Sequence, residues 1–270
     1  MNCTPDHGVL TGMTRLLAIV AAFALLTAVP AQAHDKQHFL ALGDSIATGR
    51  QAVPVTPNQG YVAQLARKLP NLTLTNLACD GETTTTMRTG GTCSYPEGDQ
   101  LDAALKFIGH NKVQLITITV AGNDIAPCGT QGIDPACIQR ATAAIDANLR
   151  HITAKLRKAA PKATIVGMTL YDPFLAAWLT GPDGQEFARQ SVVVTQSIND
   201  VIGSAYRASK VKVADVEGAF VTTDLTTIVN GLPLAVARIC QWTTTCTAAD
   251  IHPTTEGYTA IQKAYLPLVR

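Results

Sequence analysis

The stretch HFLALGDSIATGR, residues 38–50, runs as a short apolar strand and then breaks into Gly43-Asp44-Ser45. A serine hydroxyl is a weak nucleophile until an imidazole accepts its proton. Chemistry at Ser45 therefore requires a histidine, a group that orients it, and N–H donors facing the oxyanion that develops on an attacked carbonyl. The chain offers a candidate for each. His252 stands in ADIHPTTEGY ahead of a C-terminal helical pattern, with Pro253 placed to start that helix. Asp250 lies two residues before it. Asn123, in Gly122-Asn123-Asp124, carries a side-chain amide, and Gly81, in NLACDGETT, lets a carbonyl oxygen approach the backbone without a Cβ in the way. With the N–H of Ser45 itself, Gly81 and Asn123 complete an oxyanion hole. Each residue also has a plainer reading. Ser45 can serve as a helix N-cap, His252 as a surface-turn residue, and Asn123 and Gly81 as ordinary turn residues. Asp44 and Asp124 read as acceptors for local backbone N–H groups that shape the turns.

These residues are far apart in sequence, so only a fold that gathers distant strand ends can unite them. Apolar, β-branched runs alternate with helical patterns along the chain. FLAL opens the series, LTLTNLA (72–78) alternates, and VQLITITVAGND (113–124) is β-rich up to Gly122. ATIVGMTL (163–170) is nearly continuous in apolar character, which suits a strand covered on both faces, and VKVADV (211–216) is the fifth candidate. Between them, helical spacing appears over 61–69, 99–110, a long face from Ile138 to Leu156, 187–209 and 254–269. This order predicts an α/β fold, a three-layer α/β/α sandwich with a mainly parallel five-stranded sheet. In such sheets ligands bind beyond the carboxyl ends of the strands. Ser45, Gly81 and Asn123 each follow a strand candidate. Leu175, Trp178 and Leu179, also after a strand, are candidates for an acyl groove or for ordinary core packing.

Residues 1–33 read as an export signal. Arg15 precedes the apolar run LLAIVAAFALLTAV, which falls short of the roughly 20 residues a membrane span needs, and Ala31-Gln32-Ala33 supplies small residues for cleavage after Ala33. An uncleaved N-terminal anchor is the alternative. Residues 1–12 fit such a signal badly, which makes Met13 a better start than Met1. Residues 34–270 are then one secreted domain, without a stable membrane span and expected to be a monomer. Seven cysteines agree with export: removing Cys3 leaves six. Six allow about 15 connectivities, and sequence proximity favours Cys79–Cys93, Cys128–Cys137 and Cys240–Cys246. No C-x-x-C occurs, so disulfides are favoured over a metal site. The formal net charge of +1 with 15% charged residues gives no electrostatic footprint for nucleic acid.

Four blocks in order carry a resemblance. GDSIATG, NLACDGETT, AGNDI and DIHPTTEGY resemble the nucleophile, glycine, asparagine and histidine blocks of the SGNH hydrolases, also called the GDSL esterase/lipase family. The resemblance spans most of the chain after residue 33. It implies a secreted serine esterase or lipase with Ser45 as nucleophile, His252 as base, Ser45, Gly81 and Asn123 around the oxyanion, an ester or lipid as substrate, and no metal or organic cofactor. Phospholipid, thioester or acetylated glycan are alternative substrates on the same fold, and a catalytically silent lipid- or glycan-binding module is the alternative of a different class. Two positions depart from the family pattern. Ala121 stands where the third block usually has glycine, and Ala249 stands where the acid of D-x-x-H usually lies. Either Asp250 reaches His252 through a changed turn, or a backbone carbonyl near Ala249 orients the imidazole, as in relatives understood to work as Ser-His dyads.

Overall fold

The computed structural model describes residues 36–51, 58–130 and 132–269. The expected export signal, Met13 and Cys3 lie outside the described residues. Five strands form the central sheet: β1 (Gln37–Gly43), β2 (Leu72–Asn76), β3 (Lys112–Thr119), β4 (Thr164–Met168) and β5 (Lys212–Ala214). Their order is β2-β1-β3-β4-β5 and every pairing is parallel. The fold is thus the expected three-layer α/β/α sandwich.

Helices connect the strands: α1 (Ser45–Thr48), α2 (Tyr61–Arg67), α3 (Thr86–Thr89), α4 (Gln100–His110), α5 (Gly122–Ile125), α6 (Pro135–Ala159), α7 (Pro182–Ala208), α8 (Val216–Ala219), α9 (Leu234–Trp242), α10 (Thr245–Ala248) and α11 (Thr255–Val269). Short 3₁₀ helices cover Ala126–Gly129 and Pro173–Thr180. Two small antiparallel hairpins complete the chain, β6 (Ile228–Val229) with β7 (Leu232–Pro233), and β8 (Thr243–Thr244) with β9 (Asp250–Pro253). Among the described residues no helix is long and apolar enough to cross a membrane.

Alternation along β1 divides the core. Phe39 and Ala41 join one apolar cluster with Tyr61, Leu65, Ile261 and Tyr265, whereas Leu40 and Leu42 join the other with Leu101, Ile145, Leu149 and Ile202. A strand buried on both faces explains the unbroken apolar character of its sequence. Helix α7 serves both clusters, with Ala188 and Val192 in the first and Ile198 and Ile202 in the second.

The starts of the long seventh helix and of the last helix differ from the sequence reading. The α7 helix begins at Pro182 rather than Phe187, because proline at the first helical turn loses no needed N–H. Gly184, in the first turn of that helix, packs where a Cβ would lie 2.0 Å from the Ala177 carbonyl oxygen. Pro253 ends β9 instead of opening the last helix, which starts at Thr255.

Strand order reverses around β1: the chain moves from β1 to β2 on one side, then returns to place β3 on the other. The crevice outside the carboxyl ends of β1 and β3 is the topological switch point where such sheets bind ligands. Ser45 follows β1 and Asn123 follows β3.

Candidate active site

Gly43 allows the chain to leave β1 sharply. Its φ is +132°, and a Cβ there would lie 1.9 Å from the Thr119 carbonyl oxygen, which instead accepts the Asp44 N–H at 2.8 Å. Asp44 then caps α1 by accepting the Ile46 N–H at 2.9 Å, leaving Ser45 as the first helical residue. Burial pushes the Asp44 carboxyl up to about 7, against the opposing pull of that N–H.

The Ser45 hydroxyl lies 2.8 Å from Nε2 of His252. Nδ1 of the same ring lies 2.5 Å from Oδ1 of Asp250, which also accepts the His252 backbone N–H at 2.9 Å. Two residues apart on β9, Asp250 and His252 present their side chains to one face, as period-2 geometry requires. Ala249 turns the chain into this register with φ +51°, a left-handed conformation unusual for alanine. Partial burial pushes the Asp250 carboxyl up, but the His252 N–H, its imidazole and the charge of Arg50 outweigh that and hold it below the usual carboxylate range.

Several contacts fix the hairpin that carries the pair. The Tyr171 hydroxyl donates to the Ile251 carbonyl at 2.8 Å, and the Thr244 hydroxyl donates to the Asp250 carbonyl at 3.0 Å. Tyr171 stacks on Phe220 at 4.6 Å, and Trp242 meets Phe220 edge-on at 5.1 Å. Cys240 is bonded to Cys246 at the base of the same turn. The other pairs are Cys79–Cys93 and Cys128–Cys137.

Asn123 lines the same cavity as Ser45. One amide hydrogen goes to the Glu82 carbonyl at 2.9 Å, and a carboxamide carries a second donor hydrogen on the same nitrogen. Gly81 lies in the loop after β2 at φ +81° and is not among the residues lining that cavity. Its loop is joined to β1 by the Cys79 N–H, which donates to the Gly43 carbonyl at 2.9 Å. Asp124 is not the local turn acceptor the sequence suggested: it takes the N–H and hydroxyl of Thr84, 40 residues away, at 2.9 and 2.6 Å. It thereby ties the second loop to the third.

Sequence reasoning missed a buried clamp behind the serine. Gln100 of α4, wholly inaccessible, accepts the Gly43 N–H at 2.6 Å and donates to the Gly43 carbonyl at 3.0 Å. It also donates to the Glu82 carboxylate at 3.0 Å, which takes the Thr86 hydroxyl at 2.5 Å. A glutamine at the first position of an amphipathic helix gives no signal of its own; only its place facing the glycine turn does.

The cavity beside Ser45 has a volume of about 110 Å³ and is chiefly apolar, with Ile125, Leu170, Phe174, Ile198 and Ile251 among its walls. The candidates Leu175, Trp178 and Leu179 do not line it. Leu175 is buried in the core, Trp178 packs against that core with Arg189 over its ring, and Leu179 is exposed. Three residues per turn in the 3₁₀ helix aim Phe174 at the cavity and its neighbour Leu175 away from it.

A five-stranded parallel sheet with a serine beyond its first strand and a histidine just before the final helix has the SGNH-hydrolase architecture. The chain belongs to the GDSL-like lipase/acylhydrolase family, whose pattern matches residues 41–260. No curated protein matches it. Among solved structures, a lipase from a goat rumen metagenome is 18% identical with a TM-score of 0.60, covering 86% of this chain and 97% of the other. An extracellular lipase from Streptomyces rimosus is 21% identical with a TM-score of 0.54, over 87% and 98%. A form of an acetyl xylan esterase from Geobacillus stearothermophilus is 16% identical with a TM-score of 0.51, over 87% and 94%. At these identities the likeness is one of fold.

Proposed function

We propose that the protein is a secreted serine hydrolase of carboxylic esters, with Ser45 as nucleophile, His252 as general base and acid, and Asp250 orienting the imidazole. The observation that carries this reading is the chain of contacts from the Ser45 hydroxyl through both ring nitrogens of His252 to the Asp250 carboxylate, at the edge of an apolar cavity. Nε2 takes the hydroxyl proton as Ser45 attacks the acyl carbonyl, and Asp250 stabilises the imidazolium that forms. The Ser45 N–H and the second Asn123 amide hydrogen meet the oxyanion; Gly81, outside the cavity lining, is the third donor only as the family pattern implies. Each such donor contributes roughly 3–4 kcal/mol to the transition state. The tetrahedral adduct collapses, His252 protonates the departing alkoxide, and the acyl group stays on Ser45. Water, deprotonated by the same nitrogen, attacks the acyl-enzyme; the carboxylic acid leaves and the proton returns to Ser45.

Export is supported by the signal-like segment at residues 1–33 and by three disulfides, which persist in oxidising compartments. Residues 34–270 are then the hydrolase domain. Hydrolysis of p-nitrophenyl esters beside Ser45→Ala, with organophosphonate labelling followed by peptide mapping, tests the reading. Activity lost in Ser45→Ala and a label on Ser45 are expected. Folded protein that neither turns over these esters nor takes up the label would sink the proposal.

A further inference from the structure

Resting on the ester-hydrolase reading, we infer that the acyl group bound beside Ser45 is short, about four carbons beyond the carbonyl at most, and that Phe174 ends its pocket. Size is the first argument. A dry cavity of about 150 Å³ admits benzene; the 110 Å³ here leaves room for fewer carbons, and part of that space borders Ser45 and Asn123 at the polar end.

The far end is closed by a partition rather than by bulk protein. Ile125, Phe174, Thr195 and Ile198 line the Ser45 cavity on one side and a second void of about 30 Å³ on the other. That void lies beneath the segment joined by Cys128–Cys137, against Gly129, Ile133 and Phe187. A longer chain has space ahead of it only if the partition moves.

Phe174 is held against such movement. Its ring rests on Gly129, where a Cβ would come within 2.8 Å of Cζ, and Phe187 meets it edge-on at 5.9 Å. Pro173 precedes it, and the Phe174 N–H donates to the Asp172 carboxylate at 2.9 Å. Swinging the ring back therefore requires displacing the disulfide-bonded segment. The partition acts as a ruler: short acyl groups seat their carbonyl at Ser45, and longer ones meet the ring first.

The test compares kcat/KM for p-nitrophenyl butanoate and octanoate in the parent protein, Phe174→Ala and the milder Phe174→Leu, with folding checked by thermal unfolding. Each poorly seated methylene pair weakens transition-state binding by at least about 1.4 kcal/mol, a factor of about ten. The parent should prefer butanoate by tenfold or more. Phe174→Ala should narrow that preference about tenfold and raise the absolute octanoate value, a gain that mere destabilisation does not produce. If Phe174→Ala does not fold, Phe174→Leu must shift the ratio in the same direction. A parent that favours octanoate, or a folded Phe174 variant with an unchanged ratio, overturns this inference alone. Failure of every ester together with no label on Ser45 removes it along with the function it rests on.

Discussion

Asp172 offers a test of how burial governs the pH dependence of stability away from the serine. Its side chain is fully inaccessible, with the Phe174 N–H and the Ser191 hydroxyl donating to it at 2.9 and 2.6 Å. Desolvation outweighs these donors and, aided by the charge of Glu217, pushes the carboxyl from 3.8 up to about 6. Between those values the native chain holds a proton that the unfolded chain has released. Stability from this group is therefore complete below about pH 4, declines as pH rises to about 6, and stays reduced above it. The shift of about two units corresponds to about 3 kcal/mol. In Asp172→Asn the amide oxygen still accepts from Phe174, and the amide N–H₂ donates to the Ser191 oxygen, whose own proton goes to the Ala188 carbonyl at 2.9 Å. The variant keeps the hydrogen bonds and never becomes charged. Urea unfolding should show it more stable than the parent by about 3 kcal/mol at pH 8 and nearly equal at pH 4. A stability difference that is the same at both pH values would refute the argument.

At the proposed catalytic centre, Asp250→Asn should lower kcat by roughly 10²–10⁴ with little change in KM, since the imidazolium loses its counter-charge while the acyl cavity is untouched. A kcat within about threefold of the parent would instead assign the orienting role to a backbone carbonyl. The disulfides close loops of different length, separations of 14 for Cys79–Cys93 and 6 for Cys240–Cys246. Chain entropy gives about 3.0 and about 2.2 kcal/mol respectively, so replacing Cys79 and Cys93 by serine should lower the calorimetric Tm more than replacing Cys240 and Cys246. The reverse order would count against an entropic origin.

The parallel sheet was legible because strands covered on both faces leave continuous apolar runs, as in β1 and β4, and because Gly, Asp and Asn punctuate their ends. The hairpin carrying His252 was not. Its strands are two and four residues long, too short for periodicity to register. Whether Asp250 meets the imidazole depends on Ala249 adopting a left-handed conformation, and alanine, unlike glycine, does not advertise one. Sequence also could not separate Phe174 from Leu175, Trp178 and Leu179, because hydrophobic bulk says nothing about which side of a 3₁₀ turn faces the cavity. Gln100 escaped for a related reason: its importance is positional, set by a glycine turn 57 residues away.

In the usual D-x-x-H pattern the acid and the histidine are one residue further apart than here. With Asp250 and His252 on alternate residues of one strand, their mutual geometry is fixed by the pleat itself. Both residues sit on one short strand, so their pairing is local to β9, whereas the distance to Ser45 is set separately, by how the hairpin packs against Tyr171. The proposed centre thus divides into two parts, Ser45 on the turn after β1 and an acid–imidazole pair on the hairpin, joined by one contact of 2.8 Å.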